Sequence, residues 1–129
     1  MPKTRILYVD DEADIREIAA LSLALDESFD VKTCPSGIEA LRVAPEWQPR
    51  LILLDVMMPG MDGSETLAGL RAEPRTVDIP IVFITARTQS YEVQRFLSLG
   101  AAGVIAKPFD PMTLAAQARH YLDGPARPG

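Results

Sequence analysis

The sequence predicts an α/β domain in which five parallel strands form one sheet with helices on both faces. Three observations carry this. Short apolar runs alternate with longer amphipathic segments, the connections between them are short, and two of the runs are apolar at nearly every position. Continuous apolar runs suit strands buried on both faces, and regular β–α alternation yields parallel strands joined by crossover helices.

Each element has its own signal. The first strand is RILYV, Arg5 to Val9, and the helical spacing that follows from about Asp14 places Ile15, Ile18, Leu21 and Leu25 on one stripe. The second strand is FDVKT, Phe29 to Thr33. The Ser36–Gly37 break then opens a helix bearing Ile38, Leu41 and Arg42, with Trp47 packing at its end. LILL, Leu51 to Leu54, is the third strand, and a helix opens around Ser64, whose hydroxyl is placed to cap it, carrying Leu67 and Leu70. The fourth strand, IPIVFI from Ile79 to Ile84, leads to a helix with Val93, Phe96 and Leu97 that stops at Gly100 as a C′ glycine. GVIA, Gly103 to Ala106, is the fifth strand. The last helix follows Asp110 as N-cap and Pro111 as first helical residue, and bears Leu114, Ala118, Tyr121 and Leu122. One domain is expected over residues 1–124, with a short disordered tail over 125–129, because the stretch from Gly124 to Gly129 is rich in glycine and proline.

Composition narrows the function classes. With 129 residues and 47% hydrophobic content, the chain suits a single self-sufficient core. A formal net charge of −5, with no basic cluster, argues against a nucleic-acid surface. The single cysteine, Cys34, cannot form an internal disulfide, and with only Lys32 near it the thiol is expected to be unreactive. No apolar run approaches the ~20 residues of a membrane span. The N-terminus meets acids too early for a signal-peptide core. A cytoplasmic domain is expected, monomeric or weakly dimerising, without direct DNA binding or membrane attachment.

The polar residues are concentrated where a parallel sheet does chemistry, at the carboxyl ends of its strands. Asp10 and Asp11 follow the first strand, Asp55 the third, Thr85 the fourth and Lys107 the fifth. Taken singly, each has a bland explanation: Asp–Asp as a cap, a lone acid as a solvated strand end, Thr85 as a common strand-end residue, Lys107 as a surface lysine. Capping does not explain why all recur at matched strand ends. Adjacent carboxylates repel by ~1 kcal/mol per pair at 4 Å even in water, and more when partly buried. A hard divalent cation with oxygen ligands relieves that repulsion, and Lys107 adds a positive charge that favours ionised Asp55. Such a carboxylate is suited to attack a phosphoryl group, with the Thr85 hydroxyl donating to a transferred oxygen.

Four segments, YVDDE (Tyr8 to Glu12), LLDVMMPGMDG (Leu53 to Gly63), ITA (Ile84 to Ala86) and AKPFD (Ala106 to Asp110), jointly resemble the receiver domain of two-component response regulators. The resemblance covers about residues 4–122. It implies a flavodoxin-like (βα)5 fold with strand order 2-1-3-4-5, and the stand-alone, CheY-like type is expected because nothing after the tail reads as a second domain. By the same resemblance, Asp55 accepts a phosphoryl group from a histidine kinase or histidine phosphotransfer protein. Asp11 binds Mg²⁺ (or Mn²⁺) directly and Asp10 mainly through water, with Asp55 and the backbone carbonyl of Met57 completing the protein ligands. Thr85 and the backbone of Met57 and Ala86 contact the phosphoryl group, Lys107 pairs with it, and the Lys107–Pro108 bond is cis. The implied output is a change in the face formed by the fourth helix, the fifth strand and the last helix, which meets a downstream protein. The implied chemistry is self-catalysed phosphoryl transfer and self-hydrolysis, not turnover of a small-molecule substrate.

The sequence departs from the family pattern in the strand leading to the lysine, where Val104 occupies the position usually held by Tyr or Phe. An aliphatic side chain cannot serve as the aromatic toggle coupled to Thr85. Three other readings are weaker. An Mg²⁺-dependent aspartyl-phosphate phosphatase of the haloacid-dehalogenase type wants a second aspartate where Met57 stands. A pseudo-receiver that binds partners without phosphorylation has little reason to keep the whole acid–Thr–Lys set. A flavin-binding flavodoxin wants a Ser/Thr/Gly phosphate cradle where this chain has Asp10–Asp11–Glu12. His120 reads as a surface residue, and Tyr91 and Phe96 as parts of the output face.

Met57 and Arg87 occupy the positions that resemble the family's tuning sites for self-hydrolysis, and neither offers a carboxylate or amide to position an attacking water. Loss of phosphate from Asp55 is therefore expected to be slow to intermediate. A time course of phosphate release without a phosphatase checks this, and a half-life of only a few seconds would contradict it.

Overall fold

The computed structural model describes residues 2–123; the tail expected at 125–129 lies outside them. The strands are β1 (Thr4–Val9), β2 (Phe29–Cys34), β3 (Leu51–Asp55), β4 (Ile81–Thr85) and β5 (Gly103–Ala106). The helices that alternate with them are α1 (Ala13–Leu23), α2 (Gly37–Trp47), α3 (Gly63–Ala72), α4 (Ser90–Ser98) and α5 (Leu114–Asp123). All strand pairs are parallel, in the order β2-β1-β3-β4-β5. This is the flavodoxin-like doubly wound sheet that the sequence predicts. No helix among the described residues is long and apolar enough to cross a membrane.

The pleat of each strand divides the core in two. Leu7, Val9, Ile52, Leu54, Ile81 and Phe83 face a layer formed with Ala40 and Ala44 of α2, Leu67 and Leu70 of α3, and Phe96 of α4. Ile6, Tyr8, Leu51, Leu53, Val82, Ile84 and Ile105 face the other layer, closed by Ala19 and Leu23 of α1 with Leu114 and Ala118 of α5. Every residue of β3 and β4 is buried. Burial from both sides fixes the height of each strand end, which is what a site assembled across four strands requires.

Several local expectations shift. The α1 stripe keeps its period but is rotated: Ala19, Ser22 and Leu23 are buried, whereas Ile18, Leu21 and Leu25 stand in the open. Small side chains let the helix lie close to the sheet, so the larger ones point outward. The same happens in α2, where Gly37, Ala40, Ala44 and Pro45 are buried and Ile38 is exposed. The cap of α3 is Asp62, not Ser64. Its carboxylate accepts from the Glu65 amide at 2.8 Å while Glu65 accepts from the Asp62 amide at 3.1 Å, a reciprocal capping box. β4 begins at Ile81, two positions later than expected, because Ile79 bonds back into a turn on Thr76 and Pro80 has no amide proton. α5 starts at Leu114, since Asp110 gathers the amides of Met112, Thr113 and Leu114 into turns that include Pro111. Gly100 does follow the α4 C-cap with φ of +106°, as a C′ glycine should.

Gly63 holds the loop after β3 against the sheet. Its amide donates to the Val56 carbonyl at 2.9 Å, and a Cβ there would lie 2.6 Å from the Asp55 carbonyl oxygen and 2.8 Å from the Val56 Cα. Both obstacles are backbone. Gly63→Ala should therefore destabilise the domain by about 2–3 kcal/mol in urea unfolding. Gly60→Ala meets open space and costs only its positive φ of 74°, about 1–2 kcal/mol. Equal losses in the two variants would contradict this account of the loop.

Candidate functional site

Four strands carry side chains to one crest, at the carboxyl edge of the sheet. β1 leads to Asp10 and Asp11, β3 ends at Asp55, β4 ends at Thr85, and β5 leads to Lys107. The register sets Asp55 beside Ile84 and Thr85 beside Ala106. Asp10, Asp55 and Lys107 continue the alternation of Tyr8, Leu53 and Ile105, so all three fall on the α1/α5 side of the sheet. Thr85 continues from Phe83 and falls on the opposite side.

Asp10 is fully buried, and its carboxylate is well supplied with donors. Oδ1 accepts from the Glu12 amide at 3.0 Å. Oδ2 accepts from Lys107 Nζ at 3.1 Å and from the Tyr8 hydroxyl at 3.1 Å. The Asp10 carbonyl accepts from Arg16 at 2.8 Å. Asp55 is only 3% exposed and lies 3.5 Å from Lys107 Nζ through Oδ2. Asp11 is exposed. One carboxylate oxygen from each of Asp10, Asp11 and Asp55 lies within 4.8 Å of the others. Lys107 precedes a cis proline bond, as the family resemblance implies, and its Nζ is also 3.8 Å from Glu12.

Thr85 stands 3% exposed and its Oγ1 accepts from the Arg87 amide at 3.0 Å. The hydroxyl proton remains available for another acceptor. Met57 and Ala86 are exposed on the loops after β3 and β4. Arg87 extends into solvent, 3.8 Å from Glu92 of α4. Val104 does not reach the crest: it packs against the core layer under α2, α3 and α4.

The charges explain the titration behaviour. Burial, followed by repulsion from Asp10, pushes the Asp55 carboxyl up to about 6, although Lys107 and the Met57 amide pull the other way. Burial opposes the charge on Lys107, but its hydrogen bond to Asp10 and the charges of Asp55, Asp10 and Glu12 outweigh it and hold the ammonium above its ordinary range. Tyr8 is raised far above a free phenol, first by burial and then by Asp10, so it remains a protonated donor. Burial likewise raises the Cys34 thiol, consistent with its expected inertness. The donor set of the acid cluster is oxygen alone and rich in negative charge, which fits a hard divalent cation such as Mg²⁺ or Mn²⁺.

Three contributors were not singled out from the sequence. Glu12 donates its backbone amide to the Asp10 carboxylate, and Arg16 donates its guanidinium to the Asp10 carbonyl, so on one side of each bond stands a backbone atom that leaves no residue-type signature. Tyr8 had one: it sits two residues before Asp10, on the same face of β1.

Fold and crest together define a flavodoxin-like α/β domain with an acidic, lysine-braced rim at the switch point of its sheet. A sequence profile for the response regulator receiver domain matches residues 6–119. The chain is 40% identical over 120 residues to the DNA-binding response regulator MtrA of Mycolicibacterium paratuberculosis, spanning 93% of this chain but 52% of that protein. It is 39% identical to the probable transcriptional regulator ycf27 of Porphyridium aerugineum, covering 95% of this chain and 49% of that one. The chain thus spans about half the length of these relatives. Among solved structures, Vibrio cholerae CheY4 superposes with a TM-score of 0.84 at 32% identity, covering 92% of this chain and 98% of that one. A response regulator from Chloroflexus aurantiacus also gives 0.84, at 30% identity, over 95% and 99% of the two chains. The chain belongs to the response regulator receiver domain family.

The raised Asp55 pKa has a consequence for stability. Its ordinary value is 3.8 and its folded value about 6, so ionisation costs the fold progressively as pH rises through that window, and the full cost is present at neutral pH. Asp55→Asn should therefore stabilise the metal-free domain near neutral pH by on the order of 2 kcal/mol, with the advantage vanishing by about pH 4. Mg²⁺ should raise the melting temperature of the native chain more than that of the variant. Paired urea titrations at the two pH values check the sign.

Proposed function

We propose that this chain is a phosphorylation-switched receiver in which Asp55 takes a phosphoryl group from a phosphohistidine of a histidine kinase or histidine phosphotransfer protein. The observation that carries the reading is the meeting of Asp10, Asp11 and Asp55 around one lysine at the strand ends. Asp55 Oδ attacks phosphorus, the P–N bond to the donor imidazole breaks, and the electron pair leaves with the imidazole nitrogen. Asp11, Asp55 and the Met57 carbonyl would hold Mg²⁺ directly. Asp10, whose oxygens already serve three donors, would hold it through water. When bound, the cation supplies positive charge that permits Asp55 to stay ionised and offsets charge on the phosphoryl oxygens.

The remaining work falls to the chain's own groups. Lys107 lies between Asp10 and Asp55 and pairs with the phosphoryl group as it arrives on Asp55. The Thr85 hydroxyl, accepting from the Arg87 amide, turns its own proton to a phosphoryl oxygen, and the Ala86 amide adds a second donor. A protein donor fits the flank of the crest. α1 opens directly behind the acids and presents exposed Ile18 and Leu21, with Leu25 in the turn after it; Pro111 and Met112, after Lys107–Pro108, complete an apolar hollow with them. The output is a changed face at α4, β5 and α5 that meets a downstream protein, with Tyr91 exposed on it. The DNA binding named for the MtrA relatives belongs to proteins of which this chain matches 52%.

Intact mass after incubation with Mg²⁺ and acetyl phosphate tests the reading. One added phosphoryl group is expected on the native chain, none with a chelator present and none on Asp55→Asn. Absence of the adduct, together with no binding of beryllofluoride, would favour a pseudo-receiver.

A further inference from the structure

Asp10 sits in a position that creates a difficulty for phosphoryl transfer. It is fully buried, and in the unphosphorylated domain Lys107 Nζ is nearer to it, at 3.1 Å, than to Asp55, at 3.5 Å. When Lys107 turns to a phosphoryl group on Asp55, the Oδ2 atom of Asp10 loses a charged donor. A buried carboxylate oxygen stripped of its partner resists such a move.

A second donor already occupies that oxygen. Tyr8, with no exposed surface, bonds to Asp10 Oδ2 at 3.1 Å. Its ring is held in the α1/α5 layer and meets Phe109 edge-on at 6.3 Å between centroids. The hydroxyl is thus carried by a rigid side chain on β1, whereas Lys107 reaches the same oxygen on a flexible stem. We propose that Tyr8 is a positioning residue for phosphoryl transfer, which keeps Asp10 aimed and satisfied while Lys107 shifts to Asp55.

The Tyr8 hydroxyl bonds to Asp10 and not to Asp55; it acts by lowering the cost of releasing Lys107. The ring alone suffices for packing, so Tyr8→Phe separates the two roles. A hydrogen bond to a charged group of this kind corresponds to a rate effect on the order of tenfold.

This inference rests on the reading of Asp55 as the phosphoryl acceptor, and the test separates the two. Phosphorylation by acetyl phosphate at saturating Mg²⁺ is followed in the native chain, Tyr8→Phe, Asp10→Asn and the double variant. Mg²⁺ affinity is measured by calorimetry alongside. We expect Tyr8→Phe to fold, to bind Mg²⁺ within about threefold of the native chain, and to be phosphorylated about tenfold more slowly. In the Asp10→Asn background the same change should have no further effect. The buried hydroxyl proton of Tyr8 should give a slowly exchanging proton resonance that persists on adding Mg²⁺ and moves in Asp10→Asn. Equal rates for native and Tyr8→Phe, an undiminished Tyr8→Phe effect in Asp10→Asn, or loss of the resonance with Mg²⁺ would each overturn the role of Tyr8 and leave the acceptor intact. A native chain that takes no phosphoryl group overturns both.

Discussion

The mutual repulsion of Asp10, Asp11 and Asp55 is the constraint around which this domain is organised. Their oxygens gather within 4.8 Å, two of the three residues are buried, and each unit-charge pair at such range is worth about 4 kcal/mol at an effective dielectric of ~20. One lysine opposes them, and it is shared also with Glu12. The crest thus remains under-neutralised, and burial first, then the charge of Asp10, push the Asp55 carboxyl up to about 6 from 3.8. A site in this state has a built-in appetite for positive charge. That is the property a cation-assisted phosphoryl acceptor needs, and it is also why the surrounding scaffold must be stiff.

Stiffness comes from the two core layers. β3 and β4 are buried along their whole length, so Asp55 and Thr85 cannot relax apart without disturbing both layers. The loop behind Asp55 is pinned by Gly63, whose missing side chain leaves room for the backbone of Asp55 and Val56. Below, Phe83 and Phe96 meet with ring centroids 5.0 Å apart and tie β4 to α4. The electrostatic tension at the crest is therefore borne by packing on either side of the sheet, and not by the loops alone.

Much of this was legible in the sequence because two signals are coarse and strong. Apolar runs located all five strands, and the recurrence of polar residues at their ends located Asp10, Asp11, Asp55, Thr85 and Lys107. What escaped was phase and local bonding. The α1 pattern has the correct period, yet Ala19 and Ser22 face the sheet and Leu21 faces out, because hydrophobicity does not report how closely a helix approaches. Asp62 outcompeted Ser64 as a cap through its reciprocal pair with Glu65, and Asp110 drew the next amides into turns before α5 could begin. Tyr8 looked like one more apolar strand residue. Only its parity with Asp10 marked it, and the value of that parity depends on the hydroxyl reaching the carboxylate.

The same reasoning applies to the β5 edge of the sheet, where Val104 stands at the position the family resemblance gives to Tyr or Phe. The aromatic mass at β5 is supplied from outside the strand. The ring of Tyr121, on α5, lies directly against Gly103, where any side chain would collide with it, and its hydroxyl donates to the Val104 carbonyl at 3.3 Å. A ring on β5 can swing independently of the helices; a ring on α5 bonded to the β5 backbone joins the two elements. Gly103 and Val104 therefore make sense together: a small residue admits the α5 tyrosine, and an aliphatic one fills the inner layer beneath α4. In this chain the β5–α5 edge is built as one braced unit. With an aliphatic side chain at position 104, the tie between β5 and α5 therefore runs through the β5 backbone and the Tyr121 hydroxyl, and not through an aromatic side chain of the strand.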